Sequence, residues 1–483
     1  MPNPSRNRGA YICTKTVTIC LLLFRHLAAP SLPPLYTKLG LVSRSSADPI
    51  PAGCEVIKDR SLLDSCPPLL AGNSVTDSRI PVPVVSSLSA CSSALMFFPR
   101  AQARAEHAIT TGDGQHVLRV KEYGSPAGEP VVYLHGGPGG GTPPDLPRLF
   151  DPGTFRLVAF DQRGCGQSVS EDRLRANTTA LLVEDVETIR IALGIDRWAV
   201  MGSSYGSLLA CLYAARHSVS IRWVLLHGVF LGSHNEVRWL FEADGVARFY
   251  PHQWARLKQA AEHAESEAAW RADDATMPPA LVTAYHSLLT RNAVPRSHPP
   301  ADGVDWTQPH AKGALDAAAA LTQYEDDMET LVPCAASHEA AELLAGAQIA
   351  AHFFEHGCFL PAEGALPELT DARAALAKLP CAIVHGRHDV LCPLRSAYAV
   401  EQLWPGCTLR IVEGGAHALF EKPMRAAAQA CLAQLVGGAS EHGGHRFSRS
   451  AAGSGPATNQ PEDGGPSRPA AAKKRARAPR DNA

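Results

Sequence analysis

The stretch WAVMGSSYGSLLACLYAA, residues 198–215, contains the pattern G-x-S-x-G between two apolar runs. The run at 198–201 predicts a buried strand, and the run at 208–215 predicts the helix that follows it. At a strand-to-helix junction this pattern forces its serine into a sharp, strained turn, and the small glycines leave room for that turn. The stretch therefore predicts that Ser204 is an exposed nucleophile at the positive end of a helix dipole.

Because G-x-S-x-G also arises by chance, its surroundings decide the fold. Short apolar runs recur on both sides of it, each followed by a Gly-rich or charged turn, and helical stretches separate several of them. Strands that alternate with helices predict an α/β fold, in which helices cover both faces of a mainly parallel central sheet. The predicted strands are residues 117–122, 131–134, 157–160, 199–201, 224–226, 382–384 and 409–412.

The alternation stops after about residue 230 and resumes near residue 374. The chain between these points is rich in Ala, Glu, Trp and His and is typical of helices. We therefore predict a core in two parts, 105–230 and 374–436, with a helical cap domain at 231–373. The cap is expected over the C-terminal edge of the sheet, where open α/β sheets bind ligands.

Both ends differ in composition from this patterned region. Residues 1–46 contain Arg and Lys but no Asp or Glu, and 47–95 are rich in Pro and Ser without periodicity. For 1–104 we favour an extension upstream of the true start over an export or organelle-targeting leader, since Met96 is the next methionine. Residues 437–483 predict a disordered basic tail, and we favour a solvated tail over a localisation or nucleic-acid signal.

Composition excludes several classes of function. The net charge of −2 gives no reason to expect nucleic acid or an acidic membrane as a partner, and no apolar run is long enough to span a bilayer. The 13 cysteines are scattered, odd in number and without CxxC or metal-ligand spacing. Such usage indicates reduced thiols in a reducing compartment, so a cytoplasmic location is expected.

A glycine-rich loop offers a second part of a catalytic site. The sequence HGGPGGG, residues 135–141, follows the predicted strand at 131–134. Serine hydrolases need backbone N–H groups at such a loop to hold a developing oxyanion. The predicted donors are the amides of Gly137 and Tyr205. A phosphate-binding loop is the alternative, but no Gly-Lys-Ser/Thr follows.

A serine hydroxyl needs a base, and the base needs an orienting acid. Asp389 follows the strand at 382–384, and His417 follows the strand at 409–412. The chain order serine, acid, histidine is the order expected for this kind of hydrolase. Ser204, Asp389 and His417 are therefore the predicted triad. His388 is the main competing base, but it precedes the acid.

Other reactive groups have less favourable contexts. Asp161, in DQRGCGQS at 161–168, could be a second catalytic acid, but we favour a structural role in which Asp161 and Arg163 tie neighbouring loops together by hydrogen bonds. Cys165 and Cys392 lie near the motifs, yet each is a weaker candidate nucleophile than Ser204.

The motifs HGGPGGG, DQRGCGQS, GSSYGS, GRHDVLCP and GGAHALFE together closely resemble those of the prolyl aminopeptidase (proline iminopeptidase) family, over about residues 105–436. The resemblance implies the α/β-hydrolase fold and release of an N-terminal residue, usually proline, from a small peptide. It implies that Ser204 is the nucleophile, Asp389 the acid and His417 the base. It also implies that neither a metal nor an organic cofactor is used.

In this family, carboxylates of the cap hold the free ammonium group of the substrate. Glu325 stands at one such position, in Tyr324-Glu325 where Trp-Glu is usual, whereas Ala350 stands at another. Glu355 follows five residues later, about 140° round a helix. The resemblance thus implies that Glu325 binds substrate, and it leaves open how strictly proline is required.

Two further hypotheses remain beside the peptidase. An esterase, lactonase or amidase acting on an uncharged acyl substrate would suit a cap that lacks the carboxylate at Ala350. A binding protein on a retired hydrolase fold is disfavoured by the intact triad order, although a fold alone does not establish activity. The sequence does not indicate the oligomeric state.

Overall fold

The computed structural model describes residues 97–264, 278–291, 294–298, 305, 307–331 and 339–442. Most of the predicted extension at 1–104 and of the predicted tail at 437–483 lies outside the described residues. Where the first of these is described, Phe97 lies between the guanidinium groups of Arg148 and Arg425, at 4.0 and 3.8 Å from its ring centre. The last helix continues beyond residue 436 and ends at His442.

The strands of the described residues form one sheet in the order β1-β2-β4-β3-β6-β7-β8-β9, with β5 paired to β2. The pairs β1–β2 and β2–β4 are antiparallel, and every pair from β4 to β9 is parallel. The strands are β1 (Ala105–Thr110), β2 (His116–Gly124), β3 (Glu129–Leu134), β4 (Phe155–Phe160), β5 (Val169–Ser170), β6 (Trp198–Ser203), β7 (Ile221–His227), β8 (Cys381–Gly386) and β9 (Cys407–Val412).

Helices cover both faces of the sheet. Because successive strand residues point to opposite faces, Val132 and Val200 pack with α1 and α2, whereas Val131 and Ala199 pack with α11. The prediction of a mainly parallel sheet covered on both sides is therefore confirmed. The helices are α1 (Thr179–Ala192), α2 (Tyr205–Arg216), α3 (His234–Phe241), α4 (Pro251–Ala264), α5 (Ala280–Thr290), α6 (Pro309–Glu329), α7 (Ala340–Glu355), α8 (Leu366–Asp371), α9 (Arg373–Leu376), α10 (Leu394–Leu403) and α11 (Lys422–His442).

The helices α3 to α9 lie between β7 and β8 in the chain. The buried carboxylate of Glu236 secures the start of this helical segment, because it accepts hydrogen bonds from the backbone N–H groups of Leu231 and Ser233. It also accepts a hydrogen bond of 2.6 Å from Ser396 Oγ in α10. One side chain thus joins the first helix of the segment to the sheet-bound part of the molecule. None of the helices in the described ranges is long and apolar enough to cross a membrane.

Candidate active site

Ser204 lies at the junction between β6 and α2, as the sequence predicts. Its backbone has φ 57° and ψ −127°, a conformation that L-residues rarely adopt. Hydrogen bonds hold it there: Ser204 N–H donates to His227 O at 2.9 Å, and Ser204 O accepts from Ser207 N–H at 2.8 Å. The strained turn leaves the serine partly exposed above the C-terminal edge of the sheet.

Gly206 allows this turn to sit against the neighbouring strand. A Cβ atom at position 206 would lie 2.1 Å from Leu134 O. This distance is too short for any side chain, so only glycine fits at this position. The first turn of α2 therefore packs directly on the end of β3. This contact brings the glycine-rich loop after β3 beside Ser204.

The structure brings Asp389 and His417 together from the ends of two adjacent strands. His417 Nδ1–H donates to Asp389 Oδ2 at 2.7 Å, and the other oxygen, Oδ1, accepts from Cys392 N–H at 2.8 Å. The backbone of His417 is held as well, because its N–H donates to Glu329 O at the end of α6. Asp389 and His417 thus have the geometry of an orienting acid and a base.

The electrostatics of this pair suit a base. Burial raises the pKa of Asp389, but the nearby imidazoles of His417 and His385 outweigh burial, so its pKa lies below the usual value. Burial by itself would lower the pKa of His417. The Asp389 carboxylate outweighs burial and raises the pKa of the imidazole. A carboxylate beside the ring therefore strengthens His417 as a proton acceptor.

Two further buried histidines surround the acid, and sequence reasoning did not identify them. His385, in β8, accepts a hydrogen bond from Val229 N–H and donates one to Cys392 O. The ring of His227, at the end of β7, lies 5.9 Å from that of His417, and burial lowers its pKa to about 3. Both rings are therefore neutral packing partners of the pair.

The hydroxyl of Ser204 faces a thiol in this structure. Ser204 Oγ lies 4.0 Å from Cys392 Sγ, and Cys392 in turn lies close to His417 and Asp389. Burial raises the pKa of Cys392 to about 11, so this group is a neutral thiol near pH 7. Transfer of the serine proton to His417 requires a direct hydrogen bond between the two groups, and such contacts often tighten only with substrate.

The predicted oxyanion donors belong to two backbone segments near the serine, the loop after β3 and the start of α2. Gly137 adopts φ 119° in the loop after β3, and a Cβ on the preceding Gly136 would lie 2.9 Å from Ser204 Cβ. Tyr205 is the first residue of α2, so its N–H has no acceptor within the helix. The geometry places both backbone segments beside the reacting oxygen.

The loops after β3 and β4 are joined by hydrogen bonds. The imidazole of His135 accepts from Gln162 N–H at 3.0 Å, which leaves its other nitrogen to donate to Gly136 O at 2.9 Å. Asp161 accepts from the backbone N–H groups of Thr142 and Gln167 at 2.9 and 2.8 Å. The predicted structural role of Asp161 is confirmed.

Arg163 ties the same loop to a helix. Its guanidinium donates two hydrogen bonds, of 2.6 and 2.8 Å, to the buried carboxylate of Asp185 in α1, and a third to Asp113. The prediction that Arg163 joins neighbouring segments is therefore confirmed. Cys165, two residues later, is buried, and burial raises its pKa far above that of a reactive thiol.

A cleft of about 940 Å³ lies beside the serine. Ser204, Gly137 and His417 line it, together with Glu325 of α6 and Ala350 of α7. The acidic residues Asp326, Glu329 and Glu342 also line it, and sequence reasoning did not identify them. The spacing of Glu325 and Glu329, one helical turn apart, is a signal that could have shown a shared face.

The surroundings of Glu325 disfavour its ionised form. Burial raises its pKa to about 8, and repulsion from Asp326 and Glu329 acts in the same direction, while His417 opposes them. A bound ammonium group would offset these unfavourable contributions and stabilise the ionised carboxylate. Glu325, Asp326, Glu329 and Glu342 therefore form an acidic wall of the cleft that Ser204 also lines.

Other candidates lie elsewhere. His388 is exposed to solvent and is not among the residues that line the cleft. Glu355 accepts a hydrogen bond of 2.9 Å from Thr283 in α5 and also lies outside the cleft lining. In the part of the chain that the structure describes, the groups with metal-ligand spacing are Asp389 with Cys392 and His417, and a cluster of three histidines in α5 and α7.

Comparisons with known proteins agree with this architecture. The family model described as alpha/beta hydrolase fold matches residues 129–423. Proline iminopeptidase from Xylella fastidiosa strain Temecula1 is 36% identical over 65% of this chain and 92% of that protein. Proline iminopeptidase from Xanthomonas citri is 37% identical over 64% of this chain and 90% of that protein. An alpha/beta fold family hydrolase from Bacillus anthracis str. Sterne is 17% identical over 69% of this chain and 99% of that chain, with a TM-score of 0.41. The chain belongs to the proline iminopeptidase family of the α/β hydrolase fold.

Proposed function

We propose that this protein is a serine peptidase that releases an N-terminal residue, preferentially proline, from small peptides. One observation carries the proposal: Ser204 and Glu325 line the same cleft, so a nucleophile and a carboxylate for an amino group are available to one substrate. The names of the relatives support this choice of substrate.

The geometry supports a two-step acyl transfer. Ser204 Oγ attacks the carbonyl carbon of the first residue while His417 accepts the serine proton, and Asp389 orients the imidazole. The N–H groups of Gly137 and Tyr205 hold the oxyanion. His417 then gives its proton to the leaving amine, and water, activated by the same histidine, hydrolyses the ester on Ser204 and frees the first residue.

The acidic wall provides the selection of an amino terminus. Glu325 accepts hydrogen bonds from the substrate ammonium group, while the nearby Asp326 and Glu329 add negative potential in the same part of the cleft. These two residues also compensate in charge for Ala350, where the family has a carboxylate. Ala350 itself leaves an apolar surface in the cleft lining.

The proposal includes the organisation of the chain and its location. We assign the hydrolase core to 105–230 and 374–436 and the helical cap to 231–373, because α3 to α9 separate β7 from β8. A cytoplasmic location is supported by the cysteines of the described residues, all of which are free thiols.

Parallel assays of the full-length protein test the proposal. Hydrolysis of prolyl-β-naphthylamide should exceed that of alanyl-β-naphthylamide, and both amides should be cleaved. A second candidate, an esterase or amidase for uncharged acyl groups, is favoured by Ala350 alone. Brisk cleavage of p-nitrophenyl acetate without amide cleavage would reject the peptidase, and a faster alanyl substrate would reject the preference for proline.

A further inference from the structure

Three histidines converge in the cap, outside the cleft lining. His352 and His356 lie one turn apart on α7, and His286 faces them from α5. The ring centres of His352 and His356 are 4.7 Å apart, and that of His286 is 6.1 and 5.7 Å from theirs. One ring nitrogen from each lies within 4.8 Å of the other two.

Hydrogen bonds to the backbone fix two of the three rings. His356 Nδ1–H donates to the backbone carbonyl of His352 at 2.7 Å, which directs Nε2 away from the helix. The His352 ring makes a hydrogen bond with the backbone of Asn177. Metal-binding histidines have this arrangement, because a backbone carbonyl holds one nitrogen and leaves the lone pair of the other for the ion.

The local charge also favours a cation. The Glu355 carboxylate lies close enough to His286 to act on it electrostatically. Phe359 stacks on His356 at 5.0 Å and shields one side of the cluster from water.

We propose that His286, His352 and His356 bind a divalent transition metal ion, with Zn²⁺ as the preferred ion, which joins α5 to α7. Three neutral imidazoles suit Zn²⁺, Cu²⁺ and Ni²⁺ rather than Mg²⁺ or Ca²⁺. Tetrahedral Zn–N bonds place ligand nitrogens about 3.3 Å apart, so the rings must close by about 1 Å from their present positions. His286 and His352 are partly exposed and His356 is exposed, which leaves room for this movement, and the fourth position remains for water.

The proposed metal site takes no part in the catalytic reaction. Its three ligands do not line the cleft, so the ion would not reach a substrate carbonyl bound at Ser204. It would act as a clamp between two cap helices that also meet through apolar packing, the Thr283–Glu355 hydrogen bond and a hydrogen bond of 2.7 Å from Gln348 Nε2 to Leu289 O. The proposal therefore does not depend on the peptidase assignment.

Titration of the full-length protein with Zn²⁺ and Co²⁺ tests the site. The variants are His286→Gln and His356→Gln, and His252→Gln, which changes an exposed histidine of α4, is the matched control. We expect one Zn²⁺ site in the wild type and in the control, with affinity lowered more than about 100-fold in both cluster variants. Zn²⁺ should raise the Tm of the wild type and of the control only.

Cobalt distinguishes this cluster from the other group with metal-ligand spacing, which contains Cys392 beside Asp389 and His417. Co²⁺ bound by histidines should give visible d–d bands without a sulphur-to-cobalt charge-transfer band, and the bands should vanish in both cluster variants. Equal Zn²⁺ affinity in the wild type and His356→Gln, or a charge-transfer band that His356→Gln retains, would overturn the proposal. Because His356 is exposed, His356→Gln should keep the metal-free Tm of the wild type. Metal binding by His356→Gln therefore tests the proposal even if His286→Gln folds poorly.

Discussion

In the proposed function, Glu325 is the side chain that selects the substrate amino group. Glu325→Gln removes the charge but keeps the size, and a charge-assisted hydrogen bond contributes about 1.5–3 kcal/mol. We expect KM for prolyl-β-naphthylamide to rise about 10- to 100-fold with a smaller change in kcat. Asp316→Asn is the matched control, since Asp316 lies on the same helix and pairs with Lys312 in solvent. An unchanged KM in Glu325→Gln would contradict the assignment.

The raised pKa of Glu325 predicts a pH dependence. Only the ionised carboxylate attracts an ammonium group, and its pKa of about 8 means that the ionised fraction grows as pH rises toward 8. For the wild type, kcat/KM should therefore increase between pH 6 and about 8 beyond the change caused by His417. The same profile measured for Glu325→Gln should lack this increase, and a profile of identical shape in both proteins would refute the role.

A comparison of Cys392→Ala with Ser204→Ala tests which group near His417 is the nucleophile. Its thiol is neutral near pH 7, so we expect Cys392→Ala to keep kcat within about tenfold of the wild type. Ser204→Ala should lower kcat by about 10⁴-fold or more, because loss of a triad serine removes the covalent route. Steady-state assays of both variants decide the matter. The opposite order of effects would transfer the nucleophilic role to Cys392.

At the residue scale, the sequence predicts those site residues that belong to a local motif. Ser204, Asp389 and His417 each stand in a glycine-containing turn directly after an apolar strand, and this context distinguishes them from other serines and histidines. Asp326 and Glu329 carry no motif of their own, and they become part of the site only because α6 packs over the cleft. His227 is part of an ordinary buried strand, so its proximity to His417 follows from strand order alone.

At the scale of single elements, Arg163 holds the loop after β4 against α1. Arg163→Ala would leave the Asp185 carboxylate buried without its partner, which costs about 3–5 kcal/mol of unfolding free energy. Arg216→Ala is the control, because Arg216 also binds its partner Glu368 through two hydrogen bonds but about a third of both side chains is exposed. Arg216→Ala should lower the unfolding free energy by about 1 kcal/mol or less.

Urea unfolding of the full-length protein measures both changes. Equal losses of unfolding free energy in Arg163→Ala and Arg216→Ala would show that burial of the Arg163–Asp185 pair does not increase its contribution to stability.

The predictability of an element depends on how completely it is buried. All six residues of β6 and of β8 are buried, so their apolar runs are visible in the sequence. In β1, by contrast, intermediate and exposed residues alternate at the edge of the sheet, and the segment AEHAIT has no continuous apolar run. The sequence predicts only the second strand of that antiparallel pair. The helix α2 starts at Tyr205, three residues before the predicted run, because the catalytic turn leads straight into it.

At the scale of the whole molecule, the proposed role of the acidic wall predicts that cleavage is limited to substrates with a free amino terminus. Acetylation of the prolyl nitrogen removes its positive charge and leaves the Glu325 carboxylate without a partner. We expect kcat/KM for N-acetylprolyl-β-naphthylamide to fall at least about 100-fold below that for the free amine. N-methylprolyl-β-naphthylamide, which keeps the charge, is the control substrate. Equal rates for the acetylated and free substrates would exclude recognition of the amino group.

The relation between distant parts of the chain is the least predictable feature. The helical composition between the two parts of the core predicts a cap, and the chain order of the triad predicts which loops meet. Nothing in the sequence predicts that His286 meets His352 and His356, because α5 and α7 are separated by the whole of α6. Such contacts depend on helix packing, which is set by many weak apolar interactions.

Labelling with a fluorophosphonate tests the central claim, that this chain acts through an activated Ser204. The full-length protein is labelled until hydrolysis of prolyl-β-naphthylamide stops, and the modified peptide is mapped by mass spectrometry. The account predicts one adduct per chain, on Ser204, with activity lost in proportion to labelling. A label on another residue, or activity that persists once Ser204 is fully modified, would contradict it.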